Sequence, residues 1–172
     1  MANNKYRLNK DPSFWQRKEM EDCNCGSFAL NIATWFAPYG IDDYLTLDNR
    51  NAIFEEMMDE GCSRQDIMDA VLEFDQQAIL KACPWVEPVL LSEALPTDRL
   101  IAYRLSLDSD LFECGEIDDD YHFRVRINGF WFEKCGGGKI RFCGTFDDES
   151  PWYSTPYLMY DSDVKYFRFK KQ

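Results

Sequence analysis

Tyr121-His122-Phe123-Arg124-Val125-Arg126-Ile127, then Asn128-Gly129, then Phe130-Trp131-Phe132-Glu133-Lys134: two alternating runs flank a dipeptide in which both residues accept positive φ. This stretch predicts an antiparallel hairpin closed by a two-residue type I′ turn. With that turn, Ile127 faces Phe130, Arg124 faces Glu133 and His122 faces Cys135. His122, Arg124 and Arg126 then share one face with Trp131, Glu133 and Cys135. The other face, Tyr121, Phe123, Val125, Ile127, Phe130 and Phe132, is apolar and reads as core.

Outward from the hairpin, the second half of the chain reads as strands and the first half as helices. Strands are expected at Val86 to Leu91, Leu100 to Leu107, Lys139 to Phe142, Tyr157 to Tyr160 and Val164 to Phe169. Within 100–107, Ile101, Tyr103, Leu105 and Leu107 lie on one face. Asp108 to Asp120 reads as an acidic loop, with Glu113, Glu116 and Asp118 to Asp120; it lacks the ligand spacing of a calcium loop and reads as a solvated lid. The Gly136-Gly137-Gly138 run reads as a turn.

Upstream, Phe28, Ile32 and Trp35/Phe36 make an apolar stripe on a helix spanning residues 25 to 37, ended by Pro38 and Gly40. A second helix is expected from Leu47 to Glu60, ended by Gly61. A third runs from Ser63 to Ala82, with Ser63 and Asp66 as a capping box and Ile67, Ala70, Val71, Phe74, Ala78 and Ile79 at helical spacing. Helices followed by strands, with no linker or repeat between them, indicate an α+β fold, and 172 residues suit one domain, 1–172.

Composition narrows the function. Hydrophobic residues are 45% and aromatics 16% of the chain, enough to build a core against 29% charged residues. Lys and Arg number 19 against 31 Asp and Glu, a net charge of −12. Such a chain is repelled by phosphate backbones and anionic lipid headgroups. The basic pairs Arg17-Lys18 and Lys170-Lys171 are too small to reverse this, so neither nucleic acid nor a membrane surface is an expected partner. The first seven residues show no apolar signal-peptide region, and no run of 18 apolar residues occurs, which suggests a soluble cytoplasmic protein. Seven cysteines, at 23, 25, 62, 83, 114, 135 and 143, make an odd count that suits free thiols in a reducing compartment.

Two of these residues suggest chemistry. Cys25 falls at the start of the first expected helix, with Asn24 or Cys23 as N-cap. The free N–H groups and positive dipole end there favour a thiolate and an oxyanion beside it. Gly26 is expected to leave the sulfur accessible. His122 is the only histidine in the chain, so any cysteine–histidine pair must use it. On the hairpin, Glu133 sits diagonal to His122 at about 7–8 Å between backbones. It suits either of two roles: an acid orienting the imidazole, or a cross-strand partner for Arg124 on a solvated face of His122, Arg124 and Arg126. Cys23-x-Cys25 with Cys135 and Cys143 lacks the paired knuckle spacing of structural zinc, so no metal or cofactor is expected. Cys23 reads instead as a possible reversible disulfide partner during oxidation.

Asn24-Cys25-Gly26-Ser27-Phe28-Ala29-Leu30-Asn31 resembles the Asn-Cys-x-x-Tyr/Phe-Ala-Leu-Asn opening of small papain-fold hydrolases related to the NlpC/P60 and CHAP groups, frequent in phages and bacteria. Asp120-Tyr121-His122-Phe123 is similar to the entry of their histidine strand. Gly129-Phe130-Trp131-Phe132-Glu133-Lys134 resembles their Gly-x-Trp-Ser-His-Lys return strand, with Glu133 where the family has His and a hairpin loop about one residue shorter. The matching blocks cover about 23 residues in the family's order. The resemblance implies a papain-like fold with Cys25 as nucleophile, His122 as base and Glu133 as third member. It further implies an oxyanion donor from the segment before the nucleophile, for which Gln16 and Asn24 are the candidates. The implied activity is hydrolysis of an amide in a peptide or in a peptidoglycan peptide stem, through an acyl-enzyme. The alternative is a papain-like binding protein or phage-associated effector without turnover.

Overall fold

The computed structural model describes residues 5–115, 119–136, 138–145, 160 and 162–171. Two 3₁₀ turns, Phe14–Gln16 and Lys18–Asp22, lead into helix α1, Cys25–Leu30. Helices α2, Leu47–Asp59, and α3, Arg64–Ala82, follow. Strand β1 is Val86–Pro88, β2 is Leu100–Leu107, the short helix α4 is Ser109–Glu113, β3 is Asp119–Ile127, β4 is Phe130–Lys134, β5 is Ile140–Thr145 and β6 is Lys165–Phe169. The fold is α+β: the described strands form a six-stranded sheet in the order β1-β6-β2-β3-β4-β5, every neighbouring pair antiparallel.

The hairpin adopts the expected register, with Arg124 opposite Glu133 and Ile127 opposite Phe130. Asn128 and Gly129 carry φ of 52° and 83°, the double positive φ that a type I′ turn needs. β3 outruns β4. Its β4 partners stop at Arg124, while its β2 partners continue to Asp119, so His122 lies beyond the end of the β3–β4 pairing.

α2 starts on Thr46, whose hydroxyl accepts from Asn49 N, and gives way to Gly61 at φ 72°. α3 has the Ser63–Asp66 capping box. Its inward face carries Ile67, Val71, Ile79 and Ala82, in one core with Ile101, Tyr103 and Leu105 of β2. α1 packs on β3 and β4, bringing Phe28 and Leu30 into the same core as Phe123 and Val125.

Several expectations are corrected. α1 ends at Leu30, not near Pro38, because Asn31 takes the left-handed conformation at φ 57°. Ile32 and Phe36 are nevertheless buried, while Trp35 is exposed. The strand expected over 86–91 stops at Pro88, although Val89 N still donates to Tyr166 O at 3.0 Å, and Leu91–Glu93 form a 3₁₀ turn. Part of the acidic segment is helical, as α4. Phe130 is exposed although it alternates with core residues, since it sits at the hairpin tip. The charged face is not solvated: Arg124 and Arg126 are buried beside His122. Arg104 donates to Tyr160 O, Arg126 donates to Leu95 O, and the Tyr160 ring stacks on His122. Gly26 does not open the sulfur to solvent; a Cβ there would stand 2.7 Å from the Phe36 ring. Glu116, Asp118, Gly137 and the expected strand residues 157–159 lie outside the described residues.

Candidate active site

Asn24 sets the position of Cys25. Its Oδ1 accepts from Ser27 N at 3.0 Å, and Asn24 N donates to Ser27 Oγ at 3.3 Å, closing a capping box around the first turn of α1. Its Nδ2 donates to Phe36 O at 2.6 Å. The amide is 3% exposed and committed to these bonds, so Asn24 is a cap and a tether and not an oxyanion donor. Gln16 is exposed on its 3₁₀ turn and is not among the residues that line the cleft, so the structure does not bring it to Cys25. Backbone N–H groups at the start of α1, which have no intrahelical partner, remain as donors there.

The imidazole of His122 is held on both sides. Nε2 lies 3.1 Å from Glu133 Oε2, and the Cys25 side chain is near enough to the ring to favour its protonated form. With Nε2 facing Glu133, Nδ1 is the nitrogen left for the sulfur. Tyr160 stacks on the ring with centroids 5.3 Å apart and planes at 22°. Burial pulls the His122 pKa down, but Cys25 and Glu133 outweigh it and push the value up to about 10.

Glu133 takes both roles that the hairpin left open. Its Oε2 faces His122 and also accepts from Arg124 Nε at 3.0 Å, while Oε1 accepts from Arg141 Nη2 at 2.8 Å. Burial raises its pKa, yet His122 and Arg124 win and hold it at about 2. Glu133 is therefore an ionised acceptor across the neutral range.

Cys25 and His122 open onto a cleft of about 510 Å³ lined also by Trp35, Tyr39, Arg50, Asp119, Asp120 and Tyr160. Arg50 is 2% exposed, with Nε and Nη2 on the two oxygens of Asp75 at 2.9 and 3.1 Å and Nη2 on Asp119 at 2.7 Å. Tyr103 donates to the same Asp75 at 2.5 Å. That network forms one wall of the cleft, with a single guanidinium shared by two carboxylates.

His122, Glu133 and Cys135 have donor atoms within 4.8 Å of one another. Both Glu133 oxygens already accept from cationic groups, and Cys135 Sγ accepts from Arg141 at 2.9 Å. This donor set is neutralised by guanidinium groups and fits a hydrogen-bond network better than a metal. Cys143 is not part of that trio. Cys23 is a free thiol, 1% exposed, and its burial raises the pKa, so it is shielded from oxidants.

Sequence reasoning missed Lys134 and Tyr121. Lys134 is fully buried, with Nζ donating to the carbonyls of Cys23 and Gly136. Its signal was there: on the hairpin it shares the core face with Phe130 and Phe132, an unusual place for an ammonium. The Tyr121 hydroxyl donates to Phe36 O at 3.0 Å beside Asn24. No helix among the described residues is long and apolar enough to cross a membrane. No protein-family model, no curated protein and no solved structure matches the chain.

Proposed function

We propose that this chain is a thiol hydrolase of papain-like fold, related to the NlpC/P60 and CHAP groups, that cleaves an amide bond in a peptide or in a peptidoglycan peptide stem. One observation carries the proposal: a single imidazole sits between a thiol at a helix start and an ionised carboxylate, at the edge of an open cleft. In this chemistry the Cys25 sulfur, as thiolate, attacks the carbonyl carbon. The first-turn N–H groups of α1 receive the oxyanion. His122 gives its proton to the departing amine, then takes one from the water that hydrolyses the thioester. Glu133 keeps Nε2 engaged, so that Nδ1 is the nitrogen that exchanges protons with sulfur and substrate.

The test is alkylation of Cys25 by a thiol-reactive probe from pH 4 to 9, followed on the peptide carrying that residue, in wild type, His122→Ala and Cys25→Ala. Cys25 should react below pH 7 at least about tenfold faster than the chain's other thiols, and His122→Ala should remove that advantage. If Cys25 reacts like an ordinary thiol, or if His122→Ala changes nothing, the chain is not a thiol hydrolase of this kind.

A further inference from the structure

Lys134 is a cation in the wrong place for a cation. It is fully buried, and its Nζ donates to two backbone carbonyls, Cys23 O and Gly136 O. No carboxylate forms an ion pair with it among the described residues. A buried ammonium satisfied only by neutral carbonyls is costly unless a negative charge lies near. The groups within its electrostatic reach are the thiols of Cys23, Cys25 and Cys135, and then Glu21. Cys23 is buried with a raised pKa, so it stays a neutral thiol. Glu21 is on the exposed surface, where water screens it. Cys25 and Cys135 both line the cleft; Cys135 Sγ already accepts from Arg141 at 2.9 Å, which leaves Cys25, beside His122 at the start of α1, as the thiol for Lys134 to serve.

The two carbonyls add a mechanical argument. Cys23 immediately precedes the N-cap of α1, and Gly136 follows the end of β4. One ammonium thus ties the strand carrying Glu133 to the segment that sets the nucleophile. α1 is only six residues long, and a helix end supplies about half a charge at most. Lys134 supplies a whole one.

We propose that Lys134 is a positioning residue of the Cys25 site: its ammonium fixes the entry to α1 through the Cys23 carbonyl and is the buried counter-charge of the Cys25 thiolate. The catalytic consequence rests on the hydrolase function proposed above; the charge pairing does not. The titratable and charged groups around the pair are Glu21 from the 3₁₀ turn before α1, Cys23 and Cys25 at α1, Tyr121 and His122 on β3, and Glu133 and Cys135 at β4.

The experiment compares the pH profile of iodoacetamide alkylation at Cys25 in wild type, Lys134→Met and Lys134→Arg, with circular dichroism to confirm folding. Losing an opposite charge at this range should raise the acid-side inflection by about one pH unit in Lys134→Met, slowing alkylation about tenfold at pH 5 to 6. Lys134→Arg, which keeps the charge, should recover most of that shift. An unchanged inflection in folded Lys134→Met, or equal shifts in the two variants, overturns the assignment and leaves Lys134 as packing. Should Lys134→Met fail to fold, the pairing is read from the other side. In ¹³C-lysine-labelled Cys25→Ala, the Lys134 ammonium should titrate about half a unit or more below its wild-type value, because its counter-ion is gone. Identical titration in the two proteins overturns the proposal. The two ideas fail separately: loss of the hydrolase function appears in His122→Ala and in turnover of amide substrates, whereas this pairing appears only in the Lys134 comparison.

Discussion

Glu133 shows how one side chain satisfies two competing demands. Hairpin arithmetic placed it opposite Arg124 and diagonal to His122, and the carboxylate serves both, one oxygen shared between them and the other given to Arg141. Charge is what makes this work, so Glu133→Gln should weaken every member at once. The His122 ring is then expected to lose its proton at lower pH than about 10, measured on the imidazole resonances by NMR, while Cys25 keeps it above the ordinary value of 6.5. An unchanged His122 titration would show that Glu133 does not act on the ring. The signs for stability follow. Glu133 is held at about 2, below its ordinary 4.5, so its contribution is whole above pH 4.5 and disappears as pH falls toward 2. His122 is raised, so its contribution is whole below pH 6.5 and is lost as pH rises toward 10. Glu133→Gln should flatten the acid limb of a stability-against-pH curve from chemical denaturation. His122 and Glu133 were legible as neighbours because turn chemistry sets strand register and register sets neighbours, whereas Cys25 was singled out by its place at a helix start and by the family resemblance. The oxyanion donor was not legible in the same way: Asn24 Nδ2 is engaged by Phe36 O and Gln16 lies outside the cleft, and spacing carries neither fact.

At the scale of elements, α1 is short because both of its ends are committed elsewhere. Asn31 stops it in a left-handed turn, and its side chain accepts from Trp15 Nε1 at 2.8 Å and donates to Asn9 O at 3.0 Å, which straps the N-terminal segment across the helix end. An apolar stripe at helical spacing continued past Asn31, yet Ile32 and Phe36 reach the same core from irregular backbone. The sequence pattern reported burial correctly and conformation incorrectly. Gly26 is the tightest contact of the element. Its missing Cβ leaves room for the rings of Phe36 and Phe123, 2.7 and 3.2 Å from where a methyl would stand. Gly26→Ala should therefore cost about 1–3 kcal/mol, read by chemical denaturation, and should slow Cys25 alkylation because the helix start shifts with the rings. A neutral Gly26→Ala would mean that Phe36 swings aside without loss.

Across the whole molecule, the sheet and helices are joined by one buried polar knot. Arg50 of α2 and Tyr103 of β2 both donate to Asp75 of α3, and Arg50 reaches on to Asp119 at the start of β3. α2, α3 and β2 were each visible in the sequence through caps and apolar spacing. The knot was not, since periodicity scores Asp75 as a break in its stripe when the native helix buries it completely. Asp75→Asn leaves the Arg50 charge without its bidentate acceptor and should destabilise the fold by about 3–5 kcal/mol, measured by urea denaturation. A loss below about 1 kcal/mol would show that Asp119 alone compensates.

Strand order carries a further consequence, for the assembly of the chain in time. β6, the latest of the described strands in chain order, lies between β1 and β2, which precede it by many residues and have no pairing with each other. Among the described strands, β1 therefore waits without a sheet partner while residues 89–164 are made, and β2 keeps one edge open while residues 108–164 are made. The β3–β4 hairpin faces no such delay, because β2, β3 and β4 pair in the order in which they emerge. The nascent protein can thus gather its candidate catalytic residues before the sheet closes, and closure is left to a late, long-range insertion of the kind that sets a slow step and a window for misassociation.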